Sequence, residues 1–351
     1  MASDSRHRPQ KAQPVSVTVV LVARNDAARI CDAVQSLLAL DGSGHRIEII
    51  DDGSVDDTWA LIRKAIAANP DTPHQVVTSR FVEPLGERRL LRALAAVKTD
   101  VAIIASPRDH ARSNRVDRLL HVFALTAASV VVTDRVRLGG SIIEHVSASR
   151  FQGSGYMEPR EIALQIGSSS TNLGTMALRP EVLRNWPSMS DARMADDLGL
   201  ILAFRGSLLG GCYYLDEQLV GHENPREFDP SDTRSRDVCR ETMFASLLAS
   251  RVGLLHDMRQ GPFDESRIYE GQNGVSGSSR VRLEASLKGV LIELAERWTE
   301  SREPLIARGM IPGWEFDGDD SARESGGPQM GSQGFMKRVR TLFTGTNRSA
   351  A

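Results

Sequence analysis

With 351 residues, 43 basic side chains against 45 acidic ones and a formal net charge of −2, the chain carries no charge excess that would draw it to nucleic acid. Its apolar content of 41% is enough for one large core or two small ones, yet no apolar run reaches the about 18 residues a membrane span needs. The polar opening MASDSRHRPQKAQP lacks the apolar core of a secretory signal, and Cys31, Cys212 and Cys239 show neither pairing nor metal-ligand spacing; a cytoplasmic protein of a reducing compartment is the expectation.

Residues 1–14 read as a disordered lead-in. Val15 to Val22 is a continuous β-branched run, the pattern of a buried parallel strand. Asn25 or Asp26 is placed to cap a helix whose Ile30, Ala33, Val34, Leu37 and Leu38 share one face. Arg46 to Ile50 is a second strand, and Ser54 with Asp57 forms a capping box for a helix using Trp59, Ile62 and Ile66. A strand at Gln75–Thr78, a helix at Glu87–Val97 and a strand at Val101–Ala105 follow. A helical stripe through Val116, Leu119, Leu120, Phe123 and Ala127 then leads to a strand at Ser129–Thr133. Such alternation implies an α/β domain with a doubly wound, mainly parallel sheet. Sheets of this kind bind ligands outside the carboxyl ends of their strands, here Asn25, Asp51-Asp52, Arg80 and Ser106 to Asp109.

The second half is less regular. Residues 139–160, rich in Gly and Ser, read as a long loop. An apolar run at Leu173–Leu178 precedes a helix that opens near Asp196-Asp197 and ends at Arg205-Gly206. Arg280 to Thr299 is a helix, residues 317–334 have a disordered composition, and FMKRVRTLF sets Phe335, Met336, Val339, Leu342 and Phe343 on one face of a short basic amphipathic tail.

From Val15 to Asp57 the order is a strand ending at Arg24-Asn25-Asp26, an amphipathic helix, and a strand closing on Asp51-Asp52-Gly53-Ser54. This stretch resembles glycosyltransferase family 2, whose members are inverting enzymes of GT-A fold; Met194 to Pro225 is similar to the family's later acidic pair, helix ending in Arg-Gly, and Leu-Val followed by His. The resemblance implies a GT-A-like domain over 15–260, with a nucleotide-binding half at 15–135 and an acceptor half at 136–260. A helical extension at 261–316 and a disordered segment with the basic tail at 317–351 follow.

It implies that Ala23, Arg24, Asn25, Asp51, Asp52 and Gly53 surround the nucleotide of the donor. A carboxylate can accept a base N–H or a ribose hydroxyl, although a turn whose acids cap the next helix explains the same residues. Arg24 stands where many relatives carry a stacking aromatic; a guanidinium can also stack, or form a surface ion pair. The family's Asp-any-Asp, which holds Mg²⁺ or Mn²⁺ against the diphosphate, is degenerate here: Ser106 and Arg108 replace the two acids and Asp109 survives. Three readings follow. Arg108, with Arg80, Arg88 or Arg89, replaces the metal; or donor chemistry is lost and a binding protein remains; or Asp109 ligates a metal with His110 and His222. Asp196 or Asp197 corresponds to the catalytic base, and His222 to a histidine that touches metal or diphosphate.

The implied activity is transfer of a sugar from a nucleotide sugar, a UDP-sugar first of all, to a hydroxyl of a glycan or lipid-linked acceptor, with inversion in one displacement. The basic tail suits peripheral contact with the inner face of the plasma membrane. A catalytically silent relative that binds a nucleotide sugar or a partner transferase is the alternative. A nucleotidyltransferase ranks lower, because ARNDAARI lacks the glycines of a phosphate loop.

Overall fold

The computed structural model describes residues 15–138, 153–164, 172–184, 198–223, 251, 254–255 and 279–307. The expected alternation is present in β1 (Val17–Ala23), α1 (Ile30–Leu38), β2 (Arg46–Asp52), α2 (Thr58–Ala67), β3 (Gln75–Phe81), α3 (Glu87–Ala96), β4 (Val101–Ala105), β5 (Asp109–Ala111) and α4 (Arg115–Leu125). There follow β6 (Val130–Leu138), β7 (Gly155–Met157), α5 (Pro159–Leu164), a 3-10 turn at Leu173–Thr175, β8 (Met176–Leu178), α6 (Glu181–Arg184), α7 (Leu198–Leu209), β9 (Cys212–Glu223) and α8 (Ser279–Ala307).

The nine strands form one sheet in the order β3-β2-β1-β4-β8-β6-β9-β5, with β7 also paired to β9. The first four pair in parallel, as their helical crossovers require. The second half makes the sheet mixed: β8 runs antiparallel to both β4 and β6, and β5 and β7 run antiparallel to β9. Successive side chains along a strand point to opposite faces, which gives two cores. Val17, Val19 and Leu21 of β1 pack with α1, α2 and α4, whereas Val20 faces the side covered by α3, α5, α7 and α8. Helix α7 is buried on every side, which its mostly apolar sequence permits.

Several local expectations are corrected. Asn25 and Asp26 do not cap α1 through their side chains; the N-cap residue is Arg29, and the Asp26 carbonyl accepts the N–H groups of Arg29 and Ile30. The Ser54–Asp57 capping box is absent, because the Ser54 hydroxyl is taken by the backbone N–H of Asn25. Within 139–160, residues 153–160 contribute strand β7 and the start of α5 rather than continuous loop. Helix α7 runs past Arg205-Gly206 to Leu209, since Gly206 serves packing: a Cβ there would collide with the Val130 side chain of β6. Helix α8 extends beyond Thr299 to Ala307 and includes Pro304. Among the described residues no helix is long and apolar enough to cross a membrane. The 317–334 segment and the basic tail lie outside the described residues.

A buried histidine makes the stability of the β1–β4 half depend on pH. His74, 7% exposed, has Nε2 3.0 Å from the Leu40 carbonyl oxygen, stacks on His45, and has Nδ1 buried without a hydrogen-bond partner. Burial pushes its pKa below the ordinary value, outweighing the bond to Leu40, and His45 adds to the lowering. Between the lowered folded value and the unfolded value of about 6.5 the unfolded chain binds more protons, so the His74 contribution to stability is intact above that range and falls as pH drops through it. Thermal midpoints measured from pH 8 to pH 5 are expected to fall less steeply in His74→Phe than in the parent chain; parallel profiles would remove His74 from the account.

Candidate functional site

The carboxyl ends of β3, β2, β1 and β4 lie side by side. Asp52 is in register with Phe81, Ala23 with Asp51 and Leu21 with Ala105. The loops that leave β1 and β2 are stitched together just beyond. Asn25, at φ 55°, donates its N–H to Ser54 Oγ at 3.0 Å and accepts the Val55 N–H through Oδ1 at 2.9 Å. The Asp26 N–H donates to Thr58 Oγ1 at 2.8 Å and the Ala27 N–H to Asp56 Oδ2 at 3.2 Å. The Thr58 hydroxyl, followed by the N–H groups of Thr58 and Ala27, holds the Asp56 carboxyl below the usual carboxylate range. Asn25 therefore organises the strand end, with its left-handed backbone tolerated because Asn is among the residues that adopt it. The Arg24 side chain lies in an exposed position beside it, and its N–H donates to Asp26 Oδ2.

Asp51 and Asp52 separate because neighbours on a strand face opposite ways. Asp52 turns toward α3: its oxygens accept the N–H of Leu85 at 2.9 Å and of Gly86 at 2.7 Å, and Arg89 Nε at 2.8 Å. Arg89 also donates to the Glu83 carbonyl and stacks over Phe81 at 3.5 Å, lining a cavity of about 500 Å³ with Val82, Leu85 and Arg92. Asp51 is fully buried on the other face and accepts the Ser54 N–H at 3.3 Å through Oδ1. Its Oδ2 lies 3.1 Å from Nε of the half-exposed Arg80, too poorly aligned for a hydrogen bond. Gly53 makes the turn that follows them at φ 76°, where a Cβ would press on the Val82 carbonyl at 2.8 Å. Arg80 and Arg89 are thus engaged by the two aspartates.

Beyond β4, the Arg108 N–H donates to Ser106 Oγ at 3.2 Å, and its half-exposed guanidinium lies 4.0 Å from Asp26 Oδ1. Asp109 is buried, and its Oδ1 meets His222 Nδ1 at 2.6 Å where β5 and β9 place the two residues opposite each other. The His110 ring, offered as a companion ligand, is turned away at an exposed position. Asp109 Oδ2 fills the space that a side chain on residue 174 would need, so the turn at Leu173–Thr175 passes flush against it only as Gly174. Arg115, the first residue of α4, is 2% exposed and donates through Nη2 to the carbonyls of Ile104 at 2.9 Å and Gly174 at 2.7 Å. Burial pushes its guanidinium down to about 10, still charged at neutral pH, while Asp109 acts in the opposite sense.

Among the described residues the donor set does not fit a divalent cation. One Asp109 oxygen is committed to His222 and the other is packed on Gly174, and a hydroxyl and a guanidinium stand where acids are expected. Among the described residues no three His, Cys, Asp or Glu side chains gather around a common point. Asp196 and Asp197 lie outside the described residues. The residues that sequence reasoning missed are Arg115, Asn172 and Gly174. Gly174 and Asn172 belong to a short turn without a sequence signature, and an arginine opening a helix reads as a surface residue until tertiary structure buries it.

The model of the glycosyl transferase family 2 matches residues 18–185. Among solved structures, S. aureus TarS 1-349 in complex with UDP-GlcNAc superposes with a TM-score of 0.55 at 14% identity, covering 85% of this chain and 76% of that one. The mannosyltransferase PcManGT from Pyrobaculum calidifontis, in complex with GDP-Man and Mn²⁺, gives 0.52 at 14% identity, covering 86% and 78%. No curated protein matches the sequence. At such identities the superpositions speak to the fold, which is GT-A-like, and the family model to the sequence of residues 18–185. Over residues 18–185, just under half of its length, the chain is similar to glycosyl transferase family 2.

Proposed function

We propose that this chain transfers a sugar from a nucleotide-activated donor, a UDP-sugar by preference, to a hydroxyl of a glycan or lipid-linked acceptor. The transfer inverts the sugar in a single in-line displacement, with Arg108 in place of a divalent cation at the diphosphate. The observation that carries the reading is the position of Arg108: the end of β4 sets it beside the end of β1, and among the described residues its guanidinium is held only by a pair to Asp26 at 4.0 Å. A half-exposed pair of that length is worth about 0–1 kcal/mol, so a phosphate that offers two oxygens displaces Asp26 and gains a forked, charge-assisted contact. The cation then stabilises the charge that develops on the departing diphosphate.

Asp51 is the carboxylate for the base or ribose, once Arg80 swings off its unaligned Oδ2, and Asp52 supports it from the other face. Ala23, Arg24, Asn25 and Gly53 frame the same edge. His222, fixed by Asp109, faces the phosphates, and Asp196 or Asp197 takes the proton of the attacking hydroxyl from the side opposite the leaving group. TarS with UDP-GlcNAc and PcManGT with GDP-Man support a nucleotide sugar as partner. The inner face of the plasma membrane, reached through the basic tail, is the proposed place of work.

Calorimetric titration of the full chain with UDP and with GDP, each in EDTA and in Mn²⁺, tests this. UDP binding of similar affinity in both conditions is the expected result. Binding that appears only with Mn²⁺ overturns the role of Arg108 and restores a metal site. Absence of binding in every condition favours the silent relative.

A further inference from the structure

Arg115 is among the largest fully buried side chains of the described residues. A buried charge costs several kcal/mol of desolvation, and an apolar side chain would fill the same volume without that cost. A guanidinium kept in such a place calls for a nearby anion. Among the described residues its own hydrogen bonds do not supply one, since Nη2 reaches only the carbonyls of Ile104 and Gly174 and Nε has no partner. The anion is Asp109. Both side chains abut one residue, with Arg115 on the Gly174 carbonyl and Asp109 Oδ2 against the Gly174 α-carbon, and each lies within the field of the other.

We propose that Arg115 is a built-in counter-cation for Asp109. It supplies from inside the protein the positive charge that this carboxylate would otherwise take from a divalent ion, and through Asp109 it holds the His222 ring with Nε2 directed away from the carboxylate. The arrangement explains why Asp109 can remain buried although Ser106 and Arg108 have removed its neighbouring acids. A metal ion needs several open oxygens, whereas a guanidinium needs none and is charged at every physiological pH. Arg115 is a positioning residue, since nothing places it in contact with donor or acceptor. The inference rests on the proposed function only for what His222 faces; the neutralisation of Asp109 stands or falls without it.

The test therefore uses no donor. Thermal unfolding of the full chain is measured for the parent, Arg115→Gln, Asp109→Asn and the double variant, each in EDTA and in Mn²⁺. Each single change is expected to lower the midpoint, and the double variant to recover at least half of the summed loss, because it leaves no buried charge unmatched. Mn²⁺ is expected to raise the midpoint of Arg115→Gln and to leave the parent and the double variant unmoved. Strictly additive losses, or a Mn²⁺ shift in the parent as large as in Arg115→Gln, overturn the proposal. Should Arg115→Gln fail to fold, Mn²⁺ titration followed by electron paramagnetic resonance decides: free-ion signal with the parent supports the counter-cation, and a bound-ion signal that disappears in Asp109→Asn refutes it. Loss of transferase activity alone would bear on the proposed function and leave these readouts unchanged.

Discussion

Arg108→Ala is expected to lower kcat for sugar transfer by about 10²–10³-fold, the usual cost of deleting one preorganised donor to developing charge, and to abolish UDP binding in EDTA. The guanidinium is half-exposed and, among the described residues, held only by its 4.0 Å pair to Asp26. Stability should therefore change by no more than about 0.5 kcal/mol, as for other surface substitutions. This separation of activity from stability distinguishes a phosphate-binding cation from a structural one. Arg108→Lys keeps the charge but loses the planar fork, so an intermediate loss is expected. Steady-state kinetics paired with chemical denaturation measures both quantities. Unchanged kcat and KM in Arg108→Ala would sink the cationic replacement, and a rescue of that variant by Mn²⁺ would show that the ion has a site after all.

Asp52→Ala should have the largest effect on stability, about 3–5 kcal/mol, because removing one member of a buried pair leaves the other charge uncompensated. Arg89 would lose its carboxylate partner at 2.8 Å, and the N–H groups of Leu85 and Gly86 at the start of α3 would lose their acceptor. Domains of this kind are stable by about 5–15 kcal/mol, so the variant approaches unfolding at physiological temperature. Asp51→Ala is the informative contrast: its ion-pair partner Arg80 is half-exposed and can be hydrated, so the stability loss should be smaller while UDP binding disappears. Denaturant midpoints and UDP titrations on the two variants decide the matter. An Asp52→Ala chain that stays within about 1 kcal/mol of the parent but no longer binds UDP would reverse the roles assigned to the two aspartates.

The pair Asp51-Asp52 also shows how far sequence reading reaches. The strand that ends there was legible from its apolar run, and strand alternation alone separates the two carboxylates onto opposite faces. Their partners were not legible, because Arg89 lies 37 residues further on and Arg80 belongs to the edge strand. Capping followed the same pattern. Ser54 and Asn25 have the chemistry of helix caps, but two neighbouring loops compete for their side chains, and the contact between loops prevails over the local one.

By itself the sequence determined the parallel β1 to β4 half, the two-sided burial of β1 and the row of polar residues at the strands' carboxyl ends, because periodicity and strand-end chemistry are local properties. The likeness to glycosyl transferase family 2 was legible in that same stretch. Only the tertiary structure decided that the sheet becomes mixed at β8, that His222 stands opposite Asp109, and that Arg115 is interior. Those outcomes depend on pairings between residues from 11 to 113 positions apart. No short-range pattern encodes them, since they follow from which surfaces must be covered once the strands and helices meet.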